Sequence, residues 1–130
     1  VRERLRAELD RALRGLVGET GGDLPDYALD APRRPEHGDF ACNAALLLAG
    51  RLGRPPRTIA EELRRALGDG GGLVARSEVA GPGFLNVWLA DDRWRDVLRS
   101  ILAAGERYGR SDHGKRVRVQ VEFVSANPTG

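Results

Sequence analysis

A chain of 130 residues has enough material for one domain with a real core and is short for two. Its 41% hydrophobic and 31% charged residues are the mix of a soluble globular protein. The longest apolar run, Ala44 to Ala49, is far short of the roughly 20 residues a membrane helix needs. Lys and Arg number 21 against 19 Asp and Glu, so the net charge of +2 is too balanced to mark a dedicated nucleic-acid binder. Every one of those cations except Lys115 is Arg, which a GC-rich coding bias explains as easily as phosphate binding does. The lone Cys42 excludes an intrachain disulfide and fits a reducing compartment. His37 and His113 are too few to build a zinc site. The Arg/Glu alternation at the N-terminus fits no secretory signal, so a cytoplasmic location is expected. The absence of Met implies that an initiator was removed or that the chain is a fragment.

Val1, Leu5, Leu9, Leu13, Leu16 and Val17 recur at helical spacing and predict an amphipathic first helix. Gly18 to Pro25 ends it, and Tyr27 to Leu29 is a candidate short strand before the Pro-rich turn from Ala31 to Pro35. Asp39 is placed to cap a second helix, Phe40 to Leu52, apolar on most sides and therefore expected to be buried. After Pro55 and Pro56, Thr58 and Glu61 form a capping box for a third helix, with Ile59, Leu63, Ala66 and Leu67 on its inner face. The Gly68 to Gly72 loop lacks the Lys-Ser/Thr ending of a phosphate-binding loop. Two strands follow, Val74 to Ala80 and Phe84 to Ala90, with period-2 alternation clear only in the second. Asp91 and Asp92 begin a last helix whose inner stripe is Trp94, Val97, Leu98, Ile101 and Leu102. Beyond a Gly-rich linker, Val117, Val119, Val121 and Phe123 predict a final strand.

This order gives an α+β fold, a two-layer domain of helices packed on a small antiparallel sheet over residues 1–106. Residues 107–130 are then a linker and one orphan strand, which adds to the sheet or belongs to a further α/β domain.

Three motifs carry chemistry. In Gly81-Pro82-Gly83-Phe84-Leu85-Asn86-Val87-Trp88, an extended strand puts Phe84, Asn86 and Trp88 on one face and Leu85, Val87 and Leu89 on the other. A ring beside an amide suits an unstacked RNA base, since one stacks and the other reads a base edge. From pattern alone, a strand buried on both faces with Asn86 bonded to backbone is the favoured alternative. The C-terminal Val119 to Gly130 segment ends a β-branched strand in small polar residues. Glu122 there is an anionic partner for a cation, and Ser125 and Asn127 suit polar ligand groups; an ordinary solvated strand end is the local alternative. Glu36 to Asn43 gathers His37, Asp39 and Cys42. A triad or metal site is rejected there, because Cys42 falls in an apolar helix and Asp39 is explained as a cap; Asn43 is left unexplained.

These phrases, GDFACNAALLLA, GPGFLNVWLA, Tyr108-Gly109 and VEFVSANPTG, occur together and in this order in the class I arginyl-tRNA synthetases, which the chain resembles over essentially its whole length. The family commonly has Thr at the position of Cys42. The resemblance implies an N-terminal additional domain that binds the D-loop corner of tRNA, with Phe84 and Asn86 contacting a nucleotide. This reverses the preference for a doubly buried strand. It also implies that Glu122 faces the arginine guanidinium while Ser125 and Asn127 orient the amino-acid backbone groups. In the family the HIGH-type ATP-binding motif follows this phrase directly. The intact enzyme would join arginine to tRNA(Arg) with ATP and Mg²⁺ through an arginyl-adenylate. The chain alone would then be an inactive, monomeric fragment with no catalytic residue, cofactor or metal site of its own. The alternative is a free-standing RNA-binding or protein-interaction module, distinguishable by whether the reading frame after Gly130 encodes a HIGH-type motif.

Overall fold

The computed structural model describes residues 1–18, 22–112, 114, 117, 118 and 120. Their order is α1 (Arg2–Val17), β1 (Leu29–Asp30), a 3₁₀ turn (Pro35–His37), β2 (Phe40–Cys42), α2 (Ala44–Leu52), α3 (Pro56–Leu67), β3 (Val74–Ala80), β4 (Phe84–Leu89), α4 (Asp91–Ala104) and a closing 3₁₀ turn (Gly105–Arg107). The strands form one antiparallel sheet in the order β1-β2-β4-β3. This is the expected α+β architecture.

Helices α1, α2 and α3 cover one face of the sheet. The heptad-like spacing of α1 delivers Leu5, Leu9 and Leu13 to the core with no exposure, joined by Leu48 of α2, by Ile59 and Leu63 of α3, and by Leu29, Leu85 and Val87 of the sheet. Each such side chain contributes about 1.5–3 kcal/mol on leaving water, so this one cluster dominates the stability of the domain. In α3 the buried alanine is Ala60 rather than the expected Ala66. Among the described residues no helix is long and apolar enough to cross a membrane.

Several local expectations are corrected. Phe40–Cys42 is a strand, not the first turn of a helix, and α2 starts at Ala44. Asp39 therefore caps no helix: its backbone N–H donates to the Val87 carbonyl at 2.9 Å and its carboxylate accepts from the Leu89 N–H at 2.8 Å. Asn43 gains the role it lacked, since its side-chain oxygen accepts from the Ala28 N–H at 2.8 Å and ties the β1 approach to the start of α2. The Thr58/Glu61 capping box does not form. Pro56 occupies the first turn, where its missing N–H is no loss, so α3 begins three residues earlier than a Thr58 cap would set it, and Glu61 pairs instead with Arg64 at 3.0 Å. The short strand at residue 27 begins later, at Leu29.

The stripe on α4 is the largest departure. Trp94, Leu98 and Leu102 are 48%, 56% and 73% exposed, and no residue of this helix is buried. Periodicity marks which residues share a face but not what lies opposite it. Here the Arg93, Asp96, Val97 and Ser100 side turns toward Leu73 and the start of α1, and Arg93 Nε donates to the Gly72 carbonyl at 3.1 Å. The predicted strand from Val117 to Phe123 falls mostly outside the described residues; Val117 itself is exposed.

Two buried titratable groups have a consequence for pH. Tyr27 is buried, and its hydroxyl donates to Asp10 at 2.7 Å while the Arg6 guanidinium lies 4.5 Å from its ring centre. Burial above all, then the bond to Asp10, pushes the phenol well above its usual range. Burial likewise pushes the Cys42 thiol up to about 11. Both groups hold their protons more tightly in the fold than in the unfolded chain. Their stabilisation is therefore complete below the unfolded thiol value near 9 and is lost as pH rises toward 11 and beyond. Urea melts should show stability falling over that range, with Cys42→Ala and Tyr27→Phe each flattening part of the slope. An unchanged midpoint from pH 8 to 11 would count against both assignments.

Candidate nucleic-acid interface

The functional face of the sheet follows from the alternation in β4. Leu85, Val87 and Leu89 point into the core at 0%, 0% and 4% exposure, as the sequence predicts. Phe84, Asn86 and Trp88 point the other way, where no helix covers them, but they are not equally open. Phe84 is 39% exposed, Trp88 is half-buried and Asn86 is 6% exposed. Arg76 on β3 is the cross-strand partner of Trp88, and its guanidinium stacks on the indole at 4.4 Å from the ring centre. That contact closes the upper part of the face to other ligands.

The lower part is an open groove of about 320 Å³ lined by Pro32, His37, Ala41, Ala80, Gly81, Phe84 and Asn86. Strand register explains it. Ala41 of β2 sits directly beside Asn86, and Ala80 of β3 sits beside Phe84. Two alanines flank the larger side chains, so the face is hollow there. Phe84 stands at the hairpin end of β4. His37 lines the same groove, and its neighbour Gly38 lies against Val87 and Trp88. Asn86 forms the floor of the groove.

Asn86 bears on the rival readings of this strand. Its amide takes part in none of the side-chain hydrogen bonds among the described residues, yet no buried side-chain polar atom there lacks a partner. The amide must therefore still reach solvent, and it does so through the groove. A doubly buried strand would have tied it to backbone. Instead a donor and an acceptor are held, narrowly accessible, at the bottom of an apolar slot beside an aromatic ring. Such a lining can stack on a flat ring and read its edge.

Cations stand at both ends of this slot. Arg57 of α3 donates to the Gly81 carbonyl at 2.9 Å, and Arg33 and Arg34 are exposed next to Pro32, Arg34 being paired with Glu36 at 3.8 Å. Nearby carboxylates are mostly neutralised: Asp30 pairs with Arg2 at 2.6 Å, and Glu78 pairs with Arg76. A slightly cationic rim around an apolar slot suits a base with phosphates on either side. Sequence reasoning found Phe84 and Asn86 but missed Pro32, His37 and Ala41. No periodicity marks these three, and His37 drew notice only in a triad or metal site that was rejected. Among the described residues no cluster of three or more His, Cys, Asp or Glu side chains forms a metal site. The other predicted set, Glu122, Ser125 and Asn127, lies outside the described residues.

Comparison with known proteins gives the family of the chain. Residues 2–89 match the family described as the arginyl tRNA synthetase N terminal domain. An arginine–tRNA ligase of Syntrophotalea carbinolica is 42% identical over 133 residues, covering 100% of this chain and 24% of that protein. One from Cereibacter sphaeroides (strain ATCC 17025) is 46% identical over 130 residues, covering 100% of this chain and 22% of the relative. The crystal structure of the arginyl-tRNA synthetase of Plasmodium falciparum shares the fold, with a TM-score of 0.64 at 13% identity over 77% of this chain and 18% of that one. The chain thus spans about a quarter of the length of the curated relatives it matches. By its sequence and its fold, the chain belongs to the family of arginyl-tRNA synthetase N-terminal domains.

Proposed function

We propose that this domain binds tRNA(Arg) for an arginine–tRNA ligase and does so by receiving an unstacked D-loop nucleotide in the groove over Asn86. The observation that carries this reading is the Asn86 amide, only 6% exposed and unbonded to the protein on the floor of a slot beside Phe84. Burying an amide without a partner costs about 1–3 kcal/mol, so its narrow opening to the slot suits a ligand edge better than structural duty. Membership of the ligase family supplies the class of ligand. The activity itself, joining arginine to tRNA with ATP and Mg²⁺ in the cytoplasm of the cell by a monomeric enzyme, is proposed for the longer protein by analogy with its relatives. In that enzyme Glu122 would accept charge-assisted bonds from the arginine guanidinium, and Ser125 and Asn127 would hold its amino and carboxyl ends.

Asn86→Ala tests the reading directly. Titration of an arginine-accepting tRNA transcript should show binding that weakens with salt, as phosphate contacts release counterions. The variant should bind about fivefold or more weakly, with an unchanged melting profile. Equal affinity of variant and parent, or equal binding of an unrelated RNA hairpin, would sink the assignment.

A further inference from the structure

We infer that His37 is the second stacking wall of the nucleotide slot, so that one base is clamped between the Phe84 ring and the His37 imidazole over the Asn86 amide. The inference rests on the function proposed above and adds a specificity-determining residue to it. Its basis is positional. His37 ends a short 3₁₀ turn whose N–H bonds, His37 to the Arg34 carbonyl at 3.0 Å and Gly38 to the Pro35 carbonyl at 3.2 Å, leave the imidazole exposed rather than packed. The turn is then pinned to the sheet by the bond from the Asp39 N–H to the Val87 carbonyl at 2.9 Å. The turn is thereby held against the sheet at Val87 and Trp88, and His37 lines the same cavity as Phe84 and Asn86.

Two rings lining one slot of about 320 Å³, together with a small Ala41 and the Asn86 amide, suit one planar ligand rather than a platform for successive bases. Imidazoles serve as stacking surfaces for unstacked bases as phenyl rings do. Among the described residues this side chain takes part in no hydrogen bond or ion pair and belongs to no metal cluster.

The test measures affinity for an arginine-accepting tRNA transcript with the parent, Phe84→Ala, His37→Ala, His37→Phe and the Phe84→Ala/His37→Ala double variant. His37→Ala should weaken binding by about fivefold, within the range of a lost base–ring contact. His37→Phe should restore binding to within about twofold, because a ring is what the position supplies. The double variant should bind better than the product of the two single losses predicts, because the two rings hold one base. If Phe84→Ala weakens binding but His37→Ala does not, or if His37→Phe fails to rescue, the clamp is wrong and the function proposed above stands. If Phe84→Ala itself changes nothing, that function falls and the clamp falls with it.

Discussion

Phe84→Ala is expected to weaken tRNA binding by tenfold or more and to leave the fold intact, whereas Leu85→Ala, one residue along, is expected to destabilise the domain by about 2–5 kcal/mol. The contrast comes from a single strand. Phe84 is 39% exposed at the end of β4 and touches the groove, so truncation removes a stacking surface and little core. Leu85 is fully buried, pairs in register with Cys42 and Val79, and meets the helices on the covered face, so truncation leaves a cavity. Chemical denaturation and tRNA titration of both variants separate the two effects. If Phe84→Ala unfolds the domain as readily as Leu85→Ala, the strand is doubly buried and the groove is no site. If Phe84→Ala folds normally and binds tRNA as the parent does, the ring is exposed for some other reason.

That contrast was legible in the sequence because β4 is long enough to show period 2 on both faces. β2 was not legible. Three residues cannot display an alternation, and Phe40 to Cys42 runs into the apolar residues of α2 with only Asn43 between, so a single long helix accounts for the pattern equally well. The site shows the same division. Phe84 and Asn86 belong to one local motif and could be named from it. Ala41, Pro32 and His37 reach the groove only through the register of β2 on β4 and the path of the β1–β2 connection, which are pairings between distant segments. No local spacing encodes them. The misassigned capping box has a similar origin. Thr58 and Glu61 satisfy a local rule, but Pro56 satisfies another two residues earlier and wins, because a proline at the first helical position gives up no hydrogen bond. On α4 the period was right and the direction wrong, since only tertiary contact decides which side of an amphipathic helix meets its own domain.

Gly38→Ala should be among the most damaging single changes on this side of the sheet, lowering stability by about 3 kcal/mol and tRNA affinity with it. Two costs combine. Gly38 holds φ at +99°, a conformation that side-chain-bearing residues adopt at a cost of about 1–3 kcal/mol. A Cβ there would also stand 2.7 Å from the Val87 carbonyl oxygen and 3.2 Å from Trp88 Cδ2. The carbonyl is backbone inside a paired strand and cannot swing away. Relief would have to come from lifting the turn off β4, which breaks the Asp39 N–H bond to that same carbonyl and strains the Asp39 carboxylate bond to the Leu89 N–H. It would also carry His37 out of the groove. Gly18→Ala isolates the first cost, because Gly18 has φ +66° and ψ −177°, close to the ψ of −172° at Gly38, with nothing within 4 Å of its would-be Cβ. That variant should lose only about 1 kcal/mol and bind tRNA normally. Equal stability losses at the two positions would show that backbone strain alone acts at Gly38. The close approach would then have no part in holding the turn against the sheet.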